Sequence, residues 1–162
     1  MAKVRQLLPQ ITREGQFIAF VYEEITTAEG QAFCVFGCDG FSRHVFNGGA
    51  YPNESEEAVA GGLLFLLTSN DIQPFIKQPF TVVFDRFEEH QTILSIVCKQ
   101  FGGSALFHPE LHQHIAEDLI ADFRANFMMS IPQGAERRKQ RRLATFRKSG
   151  KKWNYWIEPR KI

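Results

Sequence analysis

The run Phe17 to Ile25, FIAFVYEEI, sets the terms for any fold of this chain. Seven of its nine residues are apolar or aromatic, with no alternation of polar and apolar positions. Such a run reads as a strand buried on both faces. It therefore belongs inside a layered α/β domain rather than in an open sheet with one wet side.

Short punctuated runs follow. Thr26 to Gly30 supplies a turn, Gln31 to Gly37 a second strand, Cys38 to Gly40 another turn, and Phe41 to Phe46 a third strand. Such short spacings predict an antiparallel meander. Asn47-Gly48-Gly49 reads as a loop, because glycine admits backbone angles closed to other residues. Asn53 is then expected to cap a helix with Glu56 reaching back, and Val59, Leu63, Leu66 and Leu67 on its inner face. Gly61 and Gly62 weaken that helix by about 1 kcal/mol each, which implies close packing on the sheet.

The second half alternates. Pro74 and Pro79 bracket a connection to the strand Phe80 to Phe84, ending at Asp85. Glu88 to Phe101 reads as a helix closed by Gly102-Gly103, Ser104 to Phe107 as a short strand, and Pro109 opens the longest helix. There Leu111, Ile115, Leu119, Phe123 and Phe127 recur every four residues, and the pattern ends near Ile131 to Gly134. The expectation is a mixed α/β domain over residues 1–132, with a central mixed sheet of about five strands and three main helices in the order βββαβαβα. Alternating strands and helices imply parallel pairing in that half.

Residues 133–162 form a basic, aromatic C-terminal extension. From Glu136 onward, 11 Lys or Arg stand against 2 acids, leaving 8 against 16 in the rest of the chain. The overall charge of +1 thus conceals a local +9 and a body of −8. The cations Arg137, Arg138, Lys139, Arg141, Arg142, Arg147, Lys148, Lys151 and Lys152 are interleaved with Trp153, Tyr155 and Trp156. Leu143 to Arg147 and Trp153 to Ile157 suggest a hairpin around Lys148-Ser-Gly-Lys. Cations would neutralise phosphates and aromatics would stack on bases, so nucleic acid is the expected partner. The alternatives are a non-catalytic adaptor whose extension docks on an acidic protein, docking on the chain's own acidic body, and an anionic membrane surface.

The element order is similar to that of the ribonuclease H-like fold, over about Phe17 to Phe127. That resemblance implies carboxylates on the first strand, after the fourth and on the last helix, holding two Mg²⁺ ions for phosphodiester cleavage. The matching residues are Glu23 and Glu24, Asp85, and Glu117, Asp118 or Asp122, with Glu24, Asp85 and Asp118 the metal set if the chain is active. Phe84-Asp85 before a helix also resembles the second motif of proofreading-type exonucleases, and His112-Gln-His-Ile-Ala-Glu-Asp118 their third. Their first-strand Asp-x-Glu is here the adjacent pair Glu23 and Glu24, and the spacing from His114 to Asp118 is one residue short. The same carboxylates have a purely structural account: a wet strand end, a helix cap and the outer face of a helix.

Gly48 to Ala58 resembles the opening of a Nudix box, but the positions due to hold magnesium are Gly62, Leu63, Leu66 and Leu67, and leucines bind no metal. His108, His112 and His114 cluster where the last helix begins and are expected to be exposed, since His-Pro-Glu-Leu-His is not a zinc-protease motif. Cys34, Cys38 and Cys98 read as small buried hydrophobes kept reduced. No apolar stretch is long enough to span a bilayer and the opening MAKVRQLLPQ lacks a leader's apolar centre, so a cytoplasmic location is expected.

Overall fold

The computed structural model describes residues 8–27, 30–127, 143–148 and 151–156. Its strands and helices are β1 (Phe17–Thr27), β2 (Gly30–Asp39), β3 (Val45–Tyr51), α1 (Glu56–Thr68), β4 (Phe80–Phe84), α2 (Gln91–Gln100), β5 (Gly103–Phe107), α3 (Pro109–Asp122), β6 (Leu143–Lys148) and β7 (Lys151–Trp156). A π-helical turn, Phe123–Phe127, continues α3. The main sheet has the order β3-β2-β1-β4-β5, while β6 and β7 form a separate ribbon. β1 pairs antiparallel with β2 and parallel with β4, and β4 pairs parallel with β5.

β1 is buried on both faces, as its composition demands. Ile18, Phe20 and Tyr22 pack with Val59, Leu63 and Leu67 of α1 and Leu94 and Val97 of α2. Ala19, Val21 and Ile25 face the other way, into Leu111, Ile115 and Leu119 of α3 and Phe123. The period of two along the strand thus assigns alternate residues to two cores. The mixed five-stranded sheet and three main helices match the expected class and order.

Several local expectations are corrected. The third strand runs from Val45 to Tyr51, so Asn47-Gly48-Gly49 lies within it rather than in a loop. Gly48 is there for proximity: a Cβ would meet Val35 Cγ1 at 2.6 Å. The turn into β3 is built instead on Asp39, fully buried at the end of β2. Its carboxylate accepts hydrogen bonds from Gly15 N (2.7 Å), Ser42 N (2.7 Å) and Ser42 Oγ (2.8 Å). Helix α1 is capped by Ser55, not Asn53; the Ser55 hydroxyl accepts from Ala58 N at 3.2 Å. Asn53 acts one step earlier, its side chain accepting from Ser55 N at 3.0 Å.

The close packing expected of α1 is present at Gly62, where a Cβ would stand 3.2 Å from both Val35 Cγ2 and Tyr51 Cε2. The second helix begins with a 3-10 turn at Glu88–His90 and becomes α-helical at Gln91. The expected end of the last helix near 131–134, and the domain boundary at 132, lie outside the described residues.

Candidate functional site at the end of the fourth strand

Asp85 follows directly on β4, with its side chain 42% exposed. The parallel register pairs Phe17 with Thr81, Ile18 with Val82 and Ala19 with Val83. Continuing that register, the β1 residue beside Asp85 is Val21, whose side chain is buried among apolar groups. The place on β1 from which a carboxylate would meet Asp85 is therefore filled by a hydrocarbon.

What meets Asp85 comes from α3. His112 Nε2 lies 3.7 Å from Asp85 Oδ1 and 2.8 Å from the Phe20 carbonyl oxygen. A carbonyl only accepts, so Nε2 carries the proton and donates it to Phe20. His112 is only 2% exposed, which corrects the expectation that it is a surface histidine. It occupies the inner stripe of α3 with Leu111, Ile115, Ala116 and Leu119. His108 is half-buried and caps the helix, its Nδ1 accepting from Leu111 N at 3.0 Å, while His114 is exposed.

Glu23, two residues beyond Val21 on the same face of β1, is held by an arginine. Arg124 in the π-helical turn donates from Nε to Glu23 Oε1 at 2.5 Å and from Nη2 to Oε2 at 3.3 Å. This fork fixes the carboxylate bidentately. The hydrogen bond to Glu23, and then its charge, raise the arginine's pKa. Sequence reasoning missed Arg124, because nothing in the local pattern shows that a cation after the apolar stripe of α3 reaches back to the first strand.

Glu24 is exposed, and strand alternation turns it to the opposite side of the sheet from Glu23. Glu117 and Asp118 lie on the exposed face of α3, and Asp122 is half-buried near its end. Among the described residues, no three His, Cys, Asp or Glu side chains gather as metal ligands would. The residues present thus do not fit the magnesium pair that the fold resemblance implies, and no catalytic step is built on one.

The loop after Asp85 carries a strained residue. Phe87 is buried with φ of 71°, in the left-handed region that a bulky side chain avoids. Its ring packs edge-on against Tyr22 with centroids 5.2 Å apart, and the Arg86 guanidinium lies 4.5 Å above it. Arg86 also pairs with Glu54. The Tyr22 hydroxyl donates to the Asn53 carbonyl at 2.5 Å, and burial, then the Glu54 carboxylate, push its pKa up. These contacts tie the loop to the start of α1 and hold Phe87 where its own backbone preference would not.

All three cysteines are buried, and none is joined in a disulfide. Burial pushes the Cys34 thiol up, and the Cys98 thiol up to about 12, so neither is a nucleophile near neutrality. A separate cavity of about 500 Å³, lined by Arg13, Phe41, Pro74, Phe75 and Lys77 among others, lies by the start of β1, away from Asp85.

Of the cations expected to bind nucleic acid, Arg147, Lys148, Lys151 and Lys152 fall in the β6–β7 ribbon, as do Trp153, Tyr155 and Trp156. Arg137, Arg138, Lys139, Arg141 and Arg142 lie outside the described residues. In that ribbon β6 ends at Lys148 and β7 spans Lys151–Trp156, the two paired antiparallel.

Two solved structures share this architecture. One is described as the simian T-cell lymphotropic virus intasome in complex with PP2A regulatory subunit B56 gamma (TM-score 0.57, 12% identity, covering 78% of this chain and 46% of that one). The other is the HTLV-2 integrase catalytic core domain in complex with magnesium, in a dimeric form (TM-score 0.54, 11% identity, covering 85% and 92%). The likeness is one of fold. It extends to the mixed sheet and the order of strands and helices. This chain spans less than half of the intasome chain it matches. No protein-family model and no curated protein matches the sequence.

Among the described residues, no helix is long and apolar enough to cross a membrane.

Proposed function

We propose that this chain is a nucleic-acid-binding protein, built on an integrase-like core, that contacts its ligand through the cations of residues 136–162. The observation that carries the reading is the segregation of charge, 11 cations against 2 acids in that segment and 8 against 16 elsewhere. A stretch so unbalanced attracts a polyanion and releases its condensed counterions. The structural neighbours come from integrase and intasome structures, which supports the same direction.

Docking on the chain's own acids is less well supported. The ribbon approaches the body at β3 and at the π-helical turn, whose sequences VFNGGAY and FRANF contain no acid.

At the sheet end, the geometry favours binding without cleavage. Glu23 is committed to Arg124, Asp85 is neighboured by His112, and Val21 is apolar. The rival reading assigns Mg²⁺-dependent phosphodiester cleavage to Glu23 or Glu24, Asp85 and Asp118, and it is favoured by the position of Asp85 after β4.

The test is a titration of fluorescent single-stranded and duplex oligonucleotides, with and without Mg²⁺. It compares the full chain with a full-length variant carrying glutamine at Arg137, Arg138, Lys139, Arg141, Arg142, Arg147, Lys148, Lys151 and Lys152. Salt-sensitive binding by the native chain alone, with intact probe, supports the proposal. Equal binding by both removes it. Probe breakdown that needs Mg²⁺ and disappears in Asp85→Asn establishes the cleavage reading instead.

A further inference from the structure

The register of the C-terminal ribbon divides its residues into two groups. At one end, Arg147 stands opposite Lys152 and Lys148 opposite Lys151. At the other end, Phe146 stands opposite Trp153, Ala144 opposite Tyr155, and Leu143 opposite Trp156. Directly opposed like charges destabilise an antiparallel pair, whereas aromatic and aliphatic cross-strand pairs stabilise it. Two consecutive like-charge pairs therefore work against the ribbon at this end. Neither strand sequence, LATFRK or KKWNYW, holds an acid to relieve them. A hairpin selected only for stability would place Glu or Asp opposite at least one of these cations.

We infer that the end of this ribbon at Arg147, Lys148, Lys151 and Lys152 is a phosphodiester-binding element that grips the nucleic-acid backbone without reading bases. The inference rests on the nucleic-acid reading above and names the part of the chain that makes the contact. Four cations in two adjacent cross-strand pairs form a compact positive end, and phosphate oxygens supply the counter-charge that the ribbon lacks. The aromatic positions stand at the other end of the register, and the affinity is assigned to the four cations. Binding is therefore sequence-tolerant and steeply dependent on salt, falling with a slope of about 0.9 per phosphate contacted on duplex and about 0.7 on a single strand.

The experiment uses the full-length chain and its K148E/K152E variant, with fluorescence anisotropy on a mixed-sequence duplex and on the matching single strand across a salt series. Each substitution converts an opposed like-charge pair into an attractive one. The ribbon itself should therefore be no weaker, which Trp fluorescence during urea unfolding checks. The expected result is at least a tenfold loss of affinity at low salt, together with a smaller salt slope. Whichever of duplex and single strand shows the larger change identifies the natural form of the backbone. Unchanged affinity and slope overturn the inference. If K148E/K152E binds normally while the nine-glutamine variant described above does not, the ribbon assignment fails and the nucleic-acid reading survives on the cations at 137–142. If both variants bind like the native chain, both fail. A K148Q/K152Q variant guards against an effect of the introduced acids, and it must show the same direction of change for the inference to stand.

Discussion

Arg124 Nε lies 2.5 Å from Glu23 Oε1, joining the π-helical turn after α3 to the central strand beside the end of β4. Glu23 is 13% exposed and Arg124 68%. The Glu23 carboxylate is thus engaged by a cation of the same chain. Because the arginine is largely in solvent, its pairing energy is screened, and Arg124→Ala should lower stability by no more than about 1 kcal/mol. A double-mutant cycle with Glu23→Gln in urea unfolding measures the coupling, and additive single effects would show that the two side chains do not interact.

His112 has a larger structural task. Its Nε2 satisfies the Phe20 carbonyl in the core, 2.8 Å away. His112→Ala should leave that oxygen unpaired and open a cavity, costing about 3 kcal/mol. Chemical denaturation reads the loss. A change below about 0.5 kcal/mol would mean that the buried hydrogen bond is absent in solution.

Gly48→Ala tests the third strand. The added methyl would enter Val35 Cγ1 at 2.6 Å and the Val35 carbonyl oxygen at 2.9 Å. A cost of about 1–3 kcal/mol is expected from forcing the β2–β3 contact apart. A neutral substitution would return this stretch to the loop that its sequence suggests.

Alkaline conditions should expose the buried thiol. Burial holds Cys98 at about 12 against an ordinary 9.0, so the folded value is the raised one. The associated stability is complete below the unfolded value and is lost as pH climbs from 9 toward 12, with a slope of about 1.4 kcal/mol per pH unit for a single group. Cys98→Ala should show a shallower fall over that window in parallel denaturation series. Identical slopes would mean that Cys98 ionises as easily folded as unfolded.

The sequence by itself determined the architecture. The charge division between body and extension is equally a property of composition. What the tertiary structure decided is which side chains meet. The partner of Glu23 lies 101 residues away in sequence, and the hydrogen bond of His112 reaches back 92. Neither follows from a local period. Asn47-Gly48-Gly49 failed for the same reason, because glycine serves a turn or a close strand contact equally well and only Val35, packed opposite, settles the choice. Local propensity and hydrophobic period fix elements because they act between near neighbours, while a site is a convergence of distant residues that exists only once those elements have packed.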